Sequence, residues 1–315
     1  MSQVVLATAF GGPEVLSVVE EPTADPGPGE VLLEVRAAGV NPADWKTYAG
    51  TWGTDPAKLP MRLGFEAAGV VAAVGDGAEG PAGPLSLGDE VIGFRLTGAY
   101  ASHVVAPAGS VVPKPAELSW EQAGGLMLAG VTAVHALTAA AVGTGDTVLV
   151  HGAAGGVGLM LVQLAGSRGA RVIGTVGGDG AELVRRFGGE PVRYGDGLAD
   201  RVRQLAPEGV TAAVDTVGTD EALDTSLTLV PDRARIATIA NFARGPQAGV
   251  KLLGNGPGAD PGTEIRAAAR LELTRLAESG KLEVVVAGSY PLADVAAAHR
   301  AGQAGHTHGK LVLVP

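Results

Sequence analysis

The feature that most constrains this chain is a strand-like run that leads through a glycine-rich turn into a helix-like run. Residues 147–150 form the kind of β-branched and aliphatic run that a fully buried strand carries. Glycines then fill positions 152, 155, 156 and 158, and apolar side chains recur at helical spacing from Val157 to Ala165. Gly169 follows just past the end of this run, where a C-cap glycine is expected. The stretch predicts a strand–turn–helix unit.

A turn of this kind lets the backbone approach a pyrophosphate, whose charge is held by free N–H groups and by the positive end of the helix. The alternative is an ordinary tight turn, because Ala154–Gly158 does not spell the plain dinucleotide fingerprint. Three more strand-like runs, at 171–176, 210–215 and 234–240, alternate with helical or loop sequence. The first ends about twenty residues after the turn, where a dinucleotide-binding unit presents its ribose-reading residue. The pattern therefore favours a parallel, doubly wound sheet.

Composition and charge exclude several classes of protein. A length of 315 residues favours two domains, and although 46% of the residues are apolar, no run of about eighteen lacks a polar interruption. The absence of cysteine excludes disulfides and Cys-ligated zinc or iron–sulfur sites. A net charge of −10 makes nucleic acid and anionic membranes poor partners. The N-terminal residues have no secretory-signal pattern, so we expect a cytoplasmic location.

The first 115 residues contain short strand-like runs separated by turns, which predict a small β-barrel or sandwich. These runs lie at 3–10, 15–20, 30–39, 69–75, 89–94 and 100–106. Residues 116–141 then change to helical periodicity. The N-terminal part of the chain thus differs in architecture from the part that follows it.

Landmark motifs along the whole chain resemble those of a known family. In order they are Pro28–Val35, Gly39–Asp44, Leu63–Val71, Gly88–Val91, Gly98–Val105, Leu128–Ala133, Ala154–Gly158 and Gly309–Leu313. Their order and spacing are similar to those of the medium-chain dehydrogenase/reductase superfamily. Within it, the chain most resembles the zinc-free, zeta-crystallin-like quinone oxidoreductase branch.

The resemblance implies an α/β fold with two domains and a homodimeric assembly. Residues 1–119 and 253–315 would form a GroES-like, β-rich catalytic domain, and residues 120–252 a doubly wound Rossmann domain that binds the dinucleotide. The C-terminal piece would contain a helix at 262–280, a strand at 282–287, a helix near 292–302 and a final strand.

Two positions depart from the zinc-dependent relatives of this family. Asn41 stands where those relatives carry a cysteine and Phe65 where they carry a histidine, so neither side chain can make that metal site. The four-cysteine lobe is missing too, and nothing marks a third ligand beside His306 and His308. We therefore expect no metal. Without a Lewis acid to polarise an alcohol oxygen, hydride transfer to an already electrophilic acceptor is favoured.

The resemblance also implies which residues hold the cofactor. The glycine-rich turn would contact the pyrophosphate, two residues would lie near the nicotinamide (Thr132 and Asn241), and others would surround the adenosine ribose. The full set is Thr132, Gly152, Ala153, Ala154, Gly155, Gly156, Val157, Thr175, Gly177, Tyr194, Val217 and Asn241. Asp215, just before Val217, is either a member of this region or a turn-forming residue.

The end of the second strand of this unit favours NADPH over NADH. An NAD-binding unit places Asp or Glu there, whereas this chain has Val176 followed by Gly177, and nothing there repels a 2′-phosphate. The lysine that some relatives carry in the next loop corresponds to Ala181. Tyr194, with Arg185 or Arg186, is left to face the phosphate.

Three residues of the N-terminal domain are candidates for the catalytic site. Asn41 is either a substrate-pocket amide or the start of an Asn-Pro turn. Trp52 stands where many relatives carry a tyrosine, the usual proton-donor candidate of the enoyl branch, and indole is not a useful acid. Tyr48 or Lys46 could substitute, although Tyr48 also fits the core or a pocket wall. Water is the remaining proton source.

The sequence therefore predicts an NADPH-dependent, metal-free reductase of quinones or α,β-unsaturated carbonyl compounds. Two alternatives stay open. One is a 2-enoyl thioester reductase, although no Lys/Arg cluster for a phosphopantetheine or CoA phosphate is found near residues 41–65. The other is a non-catalytic NADP(H)-binding protein with a structural or regulatory role, since a fold alone does not establish catalysis.

Overall fold

A computed structural model describes every residue from Met1 to Pro315 and divides the chain into two units. Unit 1 comprises Met1–Leu128 with Arg270–Pro315, and unit 2 comprises Ala129–Ala269. The limits implied by the sequence, 119/120 and 252/253, lie earlier in the chain. The observed limits fall within two helices, Met127–Ala139 and Thr263–Glu278. An uninterrupted helical periodicity carries no mark of a domain limit, which is why the sequence does not reveal it.

The first part of unit 1 is rich in short strands. Its elements are β1 (Ser2–Ala7), β2 (Leu16–Glu21), β3 (Glu30–Val40), α1 (Pro42–Tyr48), β4 (Met61–Arg62), β5 (Glu66–Val74), β6 (Glu79–Gly80), β7 (Gly83–Pro84), β8 (Glu90–Phe94), β9 (His103–Pro107), β10 (Val111–Pro113) and α2 (Trp120–Gly124). The predicted hairpin is present, with β1 antiparallel to β2. Along β3 the residues Val31, Leu33 and Val35 are buried in alternation with half-buried ones, so one face of the strand supplies the core.

Unit 2 has the predicted alternation of strands and helices. Its elements are α3 (Met127–Ala139, shared with unit 1), β11 (Thr147–His151), α4 (Gly156–Ser167), β12 (Arg171–Val176), α5 (Ala181–Arg186), β13 (Glu190–Arg193), α6 (Leu198–Leu205), β14 (Ala212–Asp215), α7 (Asp220–Leu229), β15 (Ile236–Thr238), α8 (Gly245–Ala248), β16 (Lys251–Leu252) and α9 (Thr263–Glu278, also shared). Six parallel strands follow the order β13-β12-β11-β14-β15-β16. This order confirms the doubly wound Rossmann prediction, and the order of the strands reverses between β11 and β14.

The C-terminal residues return to the main sheet of unit 1. They form β17 (Val286–Pro291), α10 (Val295–Ala304) and β18 (Lys310–Val314). β18 pairs with β3 in a seven-stranded sheet ordered β10-β8-β5-β3-β18-β17, and β9 also pairs with β3.

One C-terminal prediction is wrong in position. The strand expected at 282–287 begins only at Val286, and the preceding residues connect it to α9. Leu282 and Val284 are nevertheless buried. Their apolar pattern reflects burial in the core rather than strand pairing.

None of the helices combines the length and apolar character that a membrane span requires.

Candidate functional site

The glycine-rich turn joins β11 to α4 and leaves backbone donors free. Gly155 is the N-cap of α4, and no side chain caps this end. The Leu159 N–H is the first that bonds back, to the Gly155 carbonyl at 2.9 Å. The N–H groups of the preceding turn, Gly156 to Gly158, therefore have no intrahelical acceptor. With no acidic side chain in that turn, the helix end is suited to an anion.

Glycine is required in this turn by close packing. Gly152 has a φ of 75°, in the left-handed region. A Cβ placed on Gly158 would lie 2.1 Å from the Gly152 carbonyl oxygen, so no larger residue fits there. Thr175 of β12 fastens the turn, since its Oγ1 accepts from the Gly152 N–H at 3.1 Å and its carbonyl accepts from the Ala153 N–H at 3.0 Å. The Thr175 hydroxyl thus positions the turn.

Two further turns follow β14 and β15, and one carboxylate ties them together. Asp215 Oδ1 accepts from the N–H groups of Val217 and Gly218, both at 2.9 Å. Asp215 Oδ2 accepts from Thr238 Oγ1 at 2.8 Å, and Thr238 Oγ1 accepts from the Asn241 N–H at 2.9 Å. Asp215 is therefore a turn-forming residue, and it holds Val217, which is 52% exposed, at the end of β14.

Thr238 was not singled out in the sequence, although a signal for it exists. A threonine at a strand end, three residues before a candidate asparagine, commonly accepts from nearby backbone N–H groups. That signal would have linked Thr238 to Asn241.

Asn241 carries the clearest unmet polar group in the structure. Its Oδ1 accepts from the Arg244 N–H at 3.0 Å, but its Nδ2 is buried without any hydrogen-bond partner. A buried donor without an acceptor costs about 1–3 kcal/mol, and a bound carbonyl oxygen would recover this cost. The cofactor prediction for Asn241 therefore has independent support from an orphaned atom.

The residues that the resemblance places around the ribose lie near the end of β12. Tyr194 follows β13 and is 48% exposed, and a Cβ built on Gly177 would lie 3.4 Å from its phenol oxygen. The structure thus brings Gly177 and Tyr194 together.

Thr132 lies on α3, where its Oγ1 accepts from the Arg266 guanidinium at 3.3 Å.

The side chain of Asn41 in unit 1 is buried, and both of its polar atoms already form hydrogen bonds. Its Nδ2 donates to the Gly39 carbonyl at 3.1 Å and to Glu66 Oε1 at 2.9 Å. Its Oδ1 accepts from the ammonium of Lys310. Every polar atom of this amide has a partner, so no amide hydrogen remains for a substrate oxyanion.

Lys310 and Glu66 form a buried ion pair that no sequence pattern predicts. Lys310 Nζ lies 3.1 Å from Glu66 Oε1 and also donates to the Val40 carbonyl at 3.2 Å. Glu66 Oε2 accepts from the Leu128 N–H at 2.7 Å. The pair therefore joins the ends of β3, β5 and β18 to the start of α3. Glu66 and Lys310 lie far apart in sequence, and only the sheet register brings them together.

Tyr48 and Trp52 have opposite environments. Tyr48 is fully buried, with its Oη 2.8 Å from Nδ1 of His299 and the two rings stacked. Burial raises the pKa of the Tyr48 phenol and lowers the pKa of His299 to about 4. Trp52 lies in a turn after α1 and is 43% exposed. Tyr48 has no surface from which to reach a substrate here, and Lys46, whose pKa burial lowers, is half-buried.

Asp44 anchors the same region. Its Oδ2 accepts from the Tyr100 hydroxyl and from the Asn41 N–H, both at 2.8 Å, and its Oδ1 accepts from the Gly64 N–H at 3.2 Å. Burial raises the pKa of this carboxyl to about 7. Asp44 therefore fixes the start of α1, and with it the backbone of Asn41.

Comparison with known proteins settles the family. Residues 27–116 match the alcohol dehydrogenase GroES-like domain, and residues 189–313 match the zinc-binding dehydrogenase model. A quinone oxidoreductase of Pseudomonas aeruginosa is 35% identical over the full length of both chains. Quinone oxidoreductase 1 of Escherichia coli is 33% identical and covers 97% of each chain. This chain belongs to the quinone oxidoreductase branch of the medium-chain dehydrogenase/reductase superfamily.

Solved structures agree with this assignment. An Escherichia coli quinone oxidoreductase complexed with NADPH has a TM-score of 0.87 at 31% identity, over 99% of this chain and 100% of that one. A mycobacterial protein, Rv1454c, complexed with NADPH has a TM-score of 0.86 at 34% identity over both full chains. The predicted combination of a GroES-like domain and a Rossmann domain is confirmed.

The zinc of the matched family model does not fit the residues of this member. Asn41 and Phe65 stand at the two positions where zinc relatives carry ligands, and the Lys310 ammonium contacts Asn41. The Asn41 amide oxygen is thus engaged by that ammonium, and Phe65 has no side-chain donor atom, so neither residue is available as a metal ligand. No group of three or more His, Cys, Asp or Glu side chains could hold a metal ion.

Proposed function

We propose that this chain is an NADPH-dependent, metal-free reductase that transfers a hydride to quinones or to the activated C=C bond of α,β-unsaturated carbonyl compounds. The observation that carries the proposal is the orphaned Nδ2 of Asn241, in a unit whose helix α4 also begins with free N–H groups. Donors without partners suit a ligand that brings many acceptors, as a dinucleotide does. The NADPH in the two related structures supports this choice of ligand.

Each residue of the strand-end region has a separate task. The backbone of Gly155 to Val157 holds the pyrophosphate, and Asn241 Nδ2 donates to a carbonyl oxygen of the cofactor. Asp215 and Thr238 fix the turns that carry Val217 and Asn241. The bound nicotinamide supplies the hydride.

The acceptor must stabilise most of its own negative charge. The Asn41 amide is engaged with Glu66 and Lys310, and Tyr48 is buried, so unit 1 offers neither a free oxyanion donor nor an exposed phenol from these two residues. Quinones and enones spread the developing charge over a delocalised phenolate or enolate. Water then delivers the proton.

Steady-state oxidation of NADPH tests the proposal. The purified protein is assayed with a benzoquinone, an enone, an enoyl thioester and a simple alcohol, with and without prolonged EDTA dialysis. We expect quinone or enone reduction that EDTA does not change, little alcohol oxidation, and kcat/KM at least about 10-fold higher for NADPH than for NADH.

Other outcomes would overturn the proposal. Activity that is lost on dialysis and restored by zinc would show that the reaction requires a metal. Fastest turnover of the enoyl thioester would favour the thioester reductase, and NADPH binding without turnover of any acceptor would favour a regulatory protein.

The assembly and location are further parts of the proposal. We propose a homodimer, which the resemblance implies, and a cytoplasmic location. Light scattering after size-exclusion chromatography should give twice the chain mass of 31.3 kDa. A mass of one chain would contradict the dimer.

A further inference from the structure

A single arginine holds the loop that carries Tyr194. Arg201 of α6 reaches back to residues 193–196, between β13 and α6. Its Nε donates to the Arg193 carbonyl at 3.1 Å, and its Nη2 donates to the carbonyls of Arg193 and Gly195, both at 2.8 Å. Its Nη1 donates to the Asp196 carbonyl at 2.6 Å. Four hydrogen bonds from one guanidinium thus clamp three carbonyls of one short loop.

The guanidinium of Arg201 forms no ion pair. All four of its hydrogen bonds go to neutral backbone carbonyls. Arg203, on the same helix, pairs instead with Asp200 at 2.7 Å. The guanidinium therefore spends its hydrogen bonds on the loop backbone, and it draws toward itself carbonyl oxygens that would repel an anion.

Without the clamp this loop would have wide conformational freedom. Gly195 and Gly197 both have positive φ, at 101° and 78°, so the backbone contains two permissive residues. Glu221 adds one more restraint, with its Oε1 accepting from the Gly195 N–H at 2.8 Å. Tyr194 is the one residue of 193–196 whose carbonyl the guanidinium does not bind.

Tyr194 is thereby held beside the end of β12. Its N–H points to the Val176 carbonyl at 3.4 Å, and its hydroxyl lies against Gly177 and makes no hydrogen bond to another residue. A dinucleotide-binding unit reads the ribose at this strand end. A rigid, exposed hydroxyl here loses little entropy when it binds a phosphate oxygen.

We propose that Arg201 is a positioning residue for cofactor choice: it fixes the loop 193–196 so that the Tyr194 hydroxyl meets the 2′-phosphate of NADPH. The inference rests on the proposed function only in taking NADPH as the cofactor. The preference for NADPH is assigned to the hydrogen bonds of Arg201, because this chain has Ala181 where some relatives carry a lysine. Of the two arginines predicted for this role, Arg186 lies over the ring of Phe187, 5.1 Å from its centroid.

Binding titrations test the clamp without requiring turnover. Wild type, Arg201→Gln, Arg201→Lys, Tyr194→Phe and the control Arg203→Gln are each titrated with NADPH, NADH, 2′,5′-ADP and 5′-ADP, and their melting curves confirm folding. We expect Arg201→Gln to weaken NADPH and 2′,5′-ADP roughly 10-fold and to leave NADH and 5′-ADP within about twofold. Arg201→Lys should behave like Arg201→Gln, because an ammonium lacks the planar fork. Tyr194→Phe should lose roughly threefold on the 2′-phosphate ligands only, and Arg203→Gln should change nothing.

Three results would overturn the clamp. Equal losses for all four ligands would reduce Arg201 to a structural residue. Full recovery of NADPH affinity in Arg201→Lys would show that the positive charge, and not the set of hydrogen bonds to the loop, is what matters. Unchanged selectivity for NADPH over NADH in both Arg201→Gln and Tyr194→Phe would show that neither residue determines cofactor choice. A wild-type protein that does not prefer NADPH contradicts the proposed cofactor instead, so the two failures are distinguishable. If Arg201→Gln does not fold, Arg201→Lys and Tyr194→Phe still decide the matter.

Discussion

Both units bury polar side chains, but they use them differently. In unit 1, the side-chain polar atoms of Asn41, Asp44, Glu66 and Lys310 have partners from within the unit. In unit 2, Asn241 Nδ2 is buried without a partner, and no side chain caps the start of α4. Unmet donors in an interior are costly, and they persist where a ligand completes them. We infer that the polar network of unit 1 holds the fold and that the unmet donors of unit 2 bind the cofactor.

The largest effect should come from breaking the ion pair of unit 1. Lys310→Met leaves the Glu66 carboxylate buried without its cation, and we expect the free energy of unfolding to fall by about 3–5 kcal/mol. The double variant Lys310→Met/Glu66→Gln should recover much of this loss. Urea unfolding measures both, with Arg36→Met as the control, because its exposed pair with Glu34 should contribute less than about 1 kcal/mol. A loss in Lys310→Met no larger than in the control would show that the pair does not hold unit 1.

A charge at the start of α4 should have the next largest effect, on binding rather than stability. Gly156→Asp adds bulk and negative charge at the position proposed for the pyrophosphate, and we expect NADPH affinity to fall at least about 100-fold with little change in melting temperature. Gly166→Asp is the matched control, because it places the same side chain at the exposed far end of the same helix. Unchanged NADPH affinity in folded Gly156→Asp would remove the turn from the cofactor site.

The pH dependence of stability should also separate the units. Burial lowers the pKa of His151 in unit 2 and of His299 in unit 1 to about 4, so the unfolded chain takes up these protons first, and stability is lost as the pH falls from about 6.5. Burial raises the pKa of Asp44 in unit 1 to about 7, so the folded chain holds this proton more tightly and stability is gained as the pH falls from 7. The two contributions of unit 1 therefore oppose each other, whereas the contribution of His151 has a single sign.

Two variants measure these slopes. Between pH 5 and 6, His151→Gln should reduce the rise of the free energy of unfolding with pH by about 1.4 kcal/mol per unit, and Asp44→Asn should increase it by about as much. Urea unfolding at several pH values gives both slopes. A slope in His151→Gln equal to that of wild type would mean that His151 does not titrate differently in the folded and unfolded chain.

The fold was more predictable from the sequence than the roles of individual residues. The strand β12 was predicted with its observed ends, because apolar runs and glycine turns are local signals. The shift of β17 and the domain limits within α3 and α9 depend on tertiary pairing, which local patterns do not encode.

Within the candidate site, the backbone features were again the predictable part. The glycines of the turn follow from a local pattern and Asn241 from the resemblance, and their contacts with the cofactor stay predictions. The satisfied state of Asn41 depends on Glu66 and Lys310, which the sheet register brings to it from distant parts of the sequence. A candidate side chain can be named from sequence, but whether its hydrogen bonds are already taken requires the fold.

One matched pair of substitutions tests the central claim most directly, because it removes the same amide from each unit. Isothermal titration with NADPH and urea unfolding are carried out on Asn241→Ala and Asn41→Ala. For Asn241→Ala we expect NADPH affinity to fall by about 10-fold and the free energy of unfolding to change by less than about 1 kcal/mol. For Asn41→Ala we expect affinity within about twofold of wild type and a loss of about 1–3 kcal/mol in the free energy of unfolding, because Glu66 and Lys310 lose a buried partner. If Asn41→Ala weakened NADPH binding while Asn241→Ala did not, the claim that the polar network of unit 1 stabilises the fold and that Asn241 of unit 2 binds the cofactor would be contradicted.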